Sequence, residues 1–303
     1  MKNKTIWPEL KFDELKPTLD TLHQWIQIVG KIRLKTMPWQ NHSWHTTLYI
    51  TSSGFSTYGI PYQGRIFQID FNFKKHELLI SCSNKETINM KLKSRTVSDF
   101  YDELFEKLKL TGIDIKIHDR PNEIEPAIPF KENTIQKEYD PEQANKLWIT
   151  MLKINEVFHQ FRSKFIGKAS PVHLFWGAFD LAVTRFSGNN APLHQGGMPN
   201  IPLEVMQEAY SKEVSSAGFW PGSEDFPYPI FYSYAYPSQE NFAKQKVLPE
   251  KAFYNQEMGE FILKYEDVRN SDQPENILYD FLQSTYEAAA ITSNWDRENL
   301  ELK

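Results

Sequence analysis

The feature that most limits what this chain can fold into is an order of elements spelled out twice. From Leu19 the apolar residues Leu22, Trp25, Ile26, Val29 and Ile32 recur at helical spacing to about Leu34, where Met37-Pro38 ends the pattern. A second helix opens at Asp140-Pro141, a capping residue followed by proline in the first turn. It carries Leu147, Met151, Ile154, Phe158, Phe161 and Phe165 on one stripe. The two helices read alike: His23-Gln24-Trp25 leads to Val29-Gly30-Lys31, and His159-Gln160-Phe161 leads to Ile166-Gly167-Lys168. Chance offers the plainer account of such short matches, because amphipathic helices reuse a few residue types. The shared order of elements around them favours duplication.

Strand-like segments follow each helix. In the first half they are Trp44 to Thr51, Arg65 to Phe73, Glu77 to Ser83 and Thr87 to Lys93; in the second, His173 to Phe186, Ile230 to Tyr236 and Glu260 to Tyr265. Alternation in Ile66-Phe67-Gln68-Ile69-Asp70-Phe71 marks a half-buried antiparallel strand. Each half then reaches a closing helix, around Phe100 to Leu104 and around Leu278 to Leu282. Thr96 with Asp99, and Asp272 with Glu275, resemble capping boxes. The expected fold class is therefore α+β: two pseudo-repeated units, each a helix, an antiparallel sheet of three to five strands, and a closing helix. Residues 1–118 form the first unit and 141–303 the second, with a loop insertion at 187–229. Pro121, Pro126 and Pro129 place a linker at 119–140. Its Ile124, Ala127, Ile128 and Phe130 are too apolar for a floppy tether, so it is expected to pack across both units.

Composition narrows the partners. Net charge is −5, from 34 basic and 39 acidic residues, with no basic patch of the kind that neutralises phosphates. Lys91, Lys93 and Arg95 read as solvated surface, and no nucleic-acid partner is expected. The single cysteine, Cys82, cannot close an internal disulfide, which favours a cytoplasmic location. The segment Met1 to Phe12 alternates lysines with apolar residues and holds no apolar run of signal-peptide length. The most apolar stretch, Val172 to Val183, is broken by His173 and Asp180 and falls short of the roughly 20 residues that span a bilayer, so no membrane partner is expected. Oligomeric state is left open. Aromatic residues reach 14%, which suits either a bulky core or a stacking pocket.

The second half is the longer, and its extra residues fall mainly between Ser187 and Pro229. Long Gly- and Pro-rich connections inside compact folds tend to be functional. If the strand feeding this insertion runs unbroken, His173, Phe175, Gly177, Phe179, Leu181, Val183 and Arg185 share one face, and Trp176, Asp180 and Thr184 the other. A bulge at Gly177 would exchange the faces beyond it. Arg185 is a candidate clamp for a carboxylate or phosphate, or a loop brace paired with Asp180 or Glu213. His173, His194 and Glu213 are the candidate acid–base groups. Trp176, Asp180, Asn189, Ser216 and Trp220 are the candidate ligand-binding residues around them. His23 and His159, on apolar helix faces, are expected to be buried and hydrogen-bonded. His42 and His45 form an H-x-x-H, but on a loop and without the neighbouring glutamate of zincin helices, so no metal is assigned. No Walker loop, dinucleotide fingerprint, C-x-x-C pair or G-x-S-x-G elbow occurs, and no cofactor is predicted.

Several stretches are distinctive: Thr21 to Lys31, Ser170 to Gly188, Glu213 to Gly222 and Phe281 to Ala290. Together they resemble a bacterial family of unknown function, domain of unknown function 5996, over nearly the whole chain from Trp7-Pro8 to Trp295-Asp296. The resemblance implies a bacterial protein and carries no activity with it. Two functional readings follow from the residues themselves. One is an enzyme acting on a small polar or anionic molecule in a pocket under the 187–229 insertion. The other is a non-catalytic module that binds a ligand or a protein through an aromatic pocket.

Overall fold

Two antiparallel sheets meet edge to edge at a single pair of residues. In the computed structural model, which describes residues 7–303, Leu48 and Leu174 exchange backbone hydrogen bonds of 3.0 and 2.8 Å. The first residues of the lysine-alternating segment, Met1 to Ile6, lie outside the described residues. Among the described residues no helix is long and apolar enough to cross a membrane.

The first unit opens with α1 (Phe12–Thr36), whose buried stripe runs from Leu15 through Leu22, Trp25 and Val29 to Ile32. Met37 is extended ahead of Pro38, which stops the helix because proline disfavours a helical residue before it. Next come β1 (Tyr49–Ile50), β2 (Gly54–Ser56), β3 (Ile60–Tyr62), β4 (Arg65–Asn72), β5 (Glu77–Cys82) and β6 (Lys85–Lys91). They form a sheet in the order β1-β2-β4-β5-β6, with β3 also paired to β4. The unit closes with α2 (Val97–Leu110), where Thr96 Oγ1 accepts from Asp99 N at 3.0 Å as its capping signal implies.

The second unit opens with α3 (Pro141–Ser163), capped by the Asp140 carboxylate at 2.7 Å from Glu142 N. It continues through β7 (His173–Phe175), β8 (Asp180–Asn190), α4 (Leu203–Ala209), β9 (Lys212–Trp220), β10 (Ile230–Tyr236), β11 (Phe253–Asn255) and β12 (Glu260–Lys264). Three helices follow: α5 (Tyr265–Arg269), α6 (Pro274–Thr292) and α7 (Arg297–Leu300). The second sheet has the order β7-β8-β9-β10-β12-β11. The class is α+β, and both units run helix, meandering sheet, helix, each sheet growing outward from the shared Leu48–Leu174 edge.

Five sequence expectations change. The segment from His173 to Phe186 is two strands, β7 and β8, folded back on each other with His173 opposite Ala182 and Phe175 opposite Asp180. The 187–229 segment is not a loop insertion, for it holds β9, an interior strand of the second sheet, as well as α4. The Gly-Lys echo is not structurally equivalent: α1 continues past Gly30-Lys31, whereas α3 stops before Gly167-Lys168. His159 is exposed rather than buried, and α6 starts at Pro274 with Gln273, not Asp272, in the capping position.

Helices cover one face of each sheet, and α1 packs on α3, so one apolar core runs through both units. The other faces differ. In β4, buried Phe67, Ile69 and Phe71 alternate with partly exposed Gln68, Asp70 and Asn72. In β8, burial is nearly continuous from Asp180 to Phe186, because this outer face is roofed. The roof consists of α4, a 3-10 turn at Asn41–Ser43 that packs on α4, and the segment around Asn122. Trp176, in the β7–β8 turn, ties the units together. Its indole N–H donates to Thr46 O at 2.9 Å, and its ring lies against Gly30 of α1 where a Cβ would overlap it.

Gly30→Ala therefore tests the joint with a sign opposite to helix propensity. Alanine in a helix interior is worth up to about 1 kcal/mol over glycine. Here it should instead destabilise the protein by about 1–3 kcal/mol, the usual range for overpacking, read from the midpoint of urea unfolding.

Candidate functional site

The roofed face of the second sheet gathers carboxyl groups, tyrosines and small residues. Strand alternation puts Asp180 and Thr184 of β8, Ser216 and Gly218 of β9, and Tyr232 and Tyr234 of β10 on that face. Glycine at position 218 is needed there, because the Tyr232 ring lies across it and a Cβ would overlap the phenol. So placed, the Tyr232 hydroxyl donates to the Asp180 carboxylate. One register step along, the Thr184 and Ser216 hydroxyls are 2.9 Å apart beside Tyr234. The Tyr234 hydroxyl lies 2.8 Å from that of Tyr210, which follows α4.

Two further carboxyls complete the group. Glu260 begins β12, next to β10. Glu123 comes from the segment between the units; its N–H donates to Pro199 O at 3.1 Å and its carboxylate rests on Gly177 where a Cβ would collide with it. Asn122 holds this strap in place. Its N–H donates to Gln27 Oε1 at 3.0 Å, its carbonyl accepts from Gln27 Nε2 at 2.7 Å, and its amide donates to Asn200 O. Lys31 donates to Asn122 Oδ1, and burial lowers its pKa to about 8. His23 Nε2 donates to Gly177 O at 2.7 Å beneath the strap. The segment read as a linker thus engages both units.

Burial sets the acidity of the group. Asp180 is raised to about 6 by desolvation, against which Tyr232's donation works. Glu123 and Glu260 are each raised to about 7, by desolvation first and by the Asp180 charge second. Both glutamates remain partly open to solvent, whereas Asp180 is buried beneath them. Tyr210 is pushed up to about 12 and Tyr232 and Tyr234 lie well above their ordinary value, chiefly through burial, so all three are hydrogen-bond donors at neutral pH. The arrangement offers carboxyls that exchange protons near neutrality beside fixed phenolic donors.

The residues singled out from sequence fall in several places. Asp180 and Ser216 are in this cluster. His194 flanks it, stacked on Tyr210 with ring centroids 4.6 Å apart, while its Nδ1 accepts from Gly196 N at 3.0 Å. His173 lies on the same face, in register with Ala182, but it is 1% exposed and bonded to Pro171 O at 2.6 Å. Burial depresses its pKa to about 4, which removes it from acid–base work near neutrality. Arg185 is on the opposite face, among α3 and α6 residues, and cannot share a ligand with His194. Glu213 accepts from Ser187 Oγ at 2.7 Å and Asn189 Nδ2 at 3.2 Å, so Glu213 and Asn189 brace the β8–β9 hairpin. Trp220 lies on the same face, two residues along β9 from Gly218, and packs beside Phe226, whereas Trp176 is the joint described above.

His42 and His45 do not act as a pair. His42 Nδ1 donates to Ala209 O at 2.9 Å and its Nε2 lies 2.6 Å from Lys168 Nζ, whereas His45 engages Gln40. Among the described residues no group of three or more His, Cys, Asp or Glu side chains is placed to hold a metal ion. Sequence reading missed Glu123, Tyr210, Tyr232, Tyr234 and Glu260. The alternating tyrosines of Phe231-Tyr232-Ser233-Tyr234-Ala235-Tyr236 were the one available signal, since they mark a sheet face too polar for a core.

A pH titration of stability checks the cluster. The folded-state pKa of Glu260 lies above its ordinary value, so the folded protein holds a proton that the unfolded chain has released. The stabilisation is whole below about pH 4.5 and is lost as pH rises to about 7. Glu260→Gln, neutral throughout, should gain on the wild type across that window by on the order of 1 kcal/mol, then level off. Parallel stability curves for the two proteins would refute the shift.

A family model described as a family of unknown function, DUF5996, matches residues 7–302. No curated protein and no solved structure matches the chain.

Proposed function

Because the chain belongs to the DUF5996 family, whose function is unknown, its own residues have to supply a functional reading, and we propose that the Asp180–Glu123–Glu260 cluster is an acid–base site for a small neutral or cationic polar molecule. The observation that carries the reading is the placement of Asp180, Glu123 and Glu260 on one tyrosine-lined face, with the two glutamates partly open to solvent. Carboxyls whose environments push their acidities apart divide into acid and base. Asp180, held by Tyr232, ionises first and serves as base or charge stabiliser. Glu123 or Glu260 retains a proton to near neutrality and serves as acid. Tyr210 and Tyr234 supply hydroxyls that orient a hydroxyl- or amine-bearing substrate.

An anionic substrate does not suit this face. Ionised carboxylates would repel it, and Arg185, the group expected to clamp it, points the other way. This changes the substrate class drawn from sequence while keeping the site beneath residues 191–210. A second reading is non-catalytic capture of a cationic group, favoured by the phenol rings that stand beside the acids.

A thermal-shift screen at pH 6 and pH 8 with amines, polyols and carboxylates, on wild type, Asp180→Asn and Glu260→Gln, tests both. A cationic or neutral polar compound near 100 times its Kd should stabilise the wild type by about 2.7 kcal/mol and raise Tm by several degrees. Either substitution should remove most of that rise. NMR of the incubated compound then separates the readings: conversion means an enzyme, and an unchanged spectrum means a binder. Equal responses in all three proteins would place the ligand elsewhere.

A further inference from the structure

On the helical side of the second sheet, a recess of about 290 Å³ is lined by Lys164, Arg185, Tyr279, Gln283, Glu301 and Leu302. It lies between the end of α3, the side of α6 and the C-terminal residues, where Leu302 N donates to Lys164 O at 3.0 Å. Arg185 is 1% exposed, and its guanidinium is pinned between the Phe161 ring at 3.5 Å and the Tyr286 ring at 4.3 Å. Stacking of this kind fixes the plane of the fork and leaves its edge free to donate. Nη2 donates to Phe161 O, while Nε is buried without a partner.

Charge is left over here. No carboxylate among the described residues makes an ion pair with Arg185. The one acid in the lining, Glu301, is engaged by Arg297 at 2.5 Å and by the Tyr286 hydroxyl at 2.9 Å. Lys164 is exposed at the rim of the recess, and its side chain makes no hydrogen bond or ion pair among the described residues. Glu301 attracts Arg185 electrostatically without bonding to it, so this buried cation in the wall of an open recess keeps donors that no carboxylate occupies until something enters. A purely structural role, answering the carbonyl end of α3, accounts for one of the five N–H groups of Arg185 and not for the recess beside it.

We propose that this recess binds a small oxyanion, the phosphate or carboxylate group of a compact metabolite, with Arg185 and Lys164 as its cationic partners and Tyr279 and Gln283 as neutral ones. The site lies across the sheet from the carboxyl cluster and does not depend on the reading given to that cluster. Its volume, at the small end of ligand sites, suits a compact metabolite rather than a large cofactor.

The probes are inorganic phosphate and acetate, titrated from micromolar to tens of millimolar by 31P line broadening for phosphate and by Tm for both. Sodium chloride at matched ionic strength corrects for the general stabilisation that phosphate produces by exclusion from protein surfaces. Phosphate is expected to act saturably on the wild type. Lys164→Ala, a change at an exposed residue, should weaken that response about tenfold, and Lys164→Glu should abolish it. Arg185→Lys, which keeps the charge but loses the fork, should weaken it at least as much, and Glu260→Gln should leave it unchanged. Saturable acetate binding with no phosphate effect narrows the ligand to a carboxylate. No saturable response to either probe, or a response that survives Lys164→Glu, would overturn the proposal.

Discussion

The bond pair between Leu48 and Leu174 is the constraint on which the rest of the structure depends. An unpaired strand edge invites association with other chains, and short strands at such an edge give it little protection. Here β1 and β7, of two and three residues, satisfy each other's edge. That pairing fixes the angle at which the sheets continue and brings α1 against α3, so that apolar side chains from both units enter one core. Trp176 then fills the corner, with its ring on Gly30 and its N–H on Thr46.

Equivalent topology did not produce equivalent surfaces. The outer face of β4 carries Gln68, Asp70 and Asn72 partly in water, where polar side chains need no protein partners. On the outer face of β8 to β10, the roof removes much of that water while leaving Asp180, Thr184, Ser216 and the tyrosines in place. Polar groups so enclosed must pair with each other, and their acid–base behaviour follows from the burial first and from that pairing second. Tyr232 across Gly218 to Asp180, Thr184 to Ser216, and Tyr210 to Tyr234 are such pairings.

Much of this was legible in the sequence, and the reasons for the failures are specific. The α1 stripe and the Asp140-Pro141 start are local signals, as is the Thr96 cap, and each is where its pattern places it. β9 escaped notice because Ser215, Ser216, Ala217 and Gly218 are small residues without strand propensity, buried only because larger neighbours lie over them. The turn between β7 and β8 was hidden for the opposite reason. Leu174, Trp176, Phe179 and Leu181 are all buried, so no change of period marks where the chain reverses. Alternation holds from Leu181 to Arg185 but does not carry back through the turn, so His173 and Arg185 take opposite faces. Glu123 and Glu260 meet Asp180 only through tertiary contacts, for which sequence spacing has no signal.

The strap that bears Glu123 belongs to neither unit, and this bears on the order in which the cluster can exist. A growing chain presents Glu123 first, Asp180 after it, and Glu260 only when the second sheet is nearly complete. Until then these carboxyls stand in water and are ordinary acids. The second unit alone would lack the strap, and the first alone would lack the sheet beneath it. The low-dielectric medium that makes these acids weak is therefore a property of the finished, two-unit chain. In that sense the joining segment acts as part of the solvent of the site.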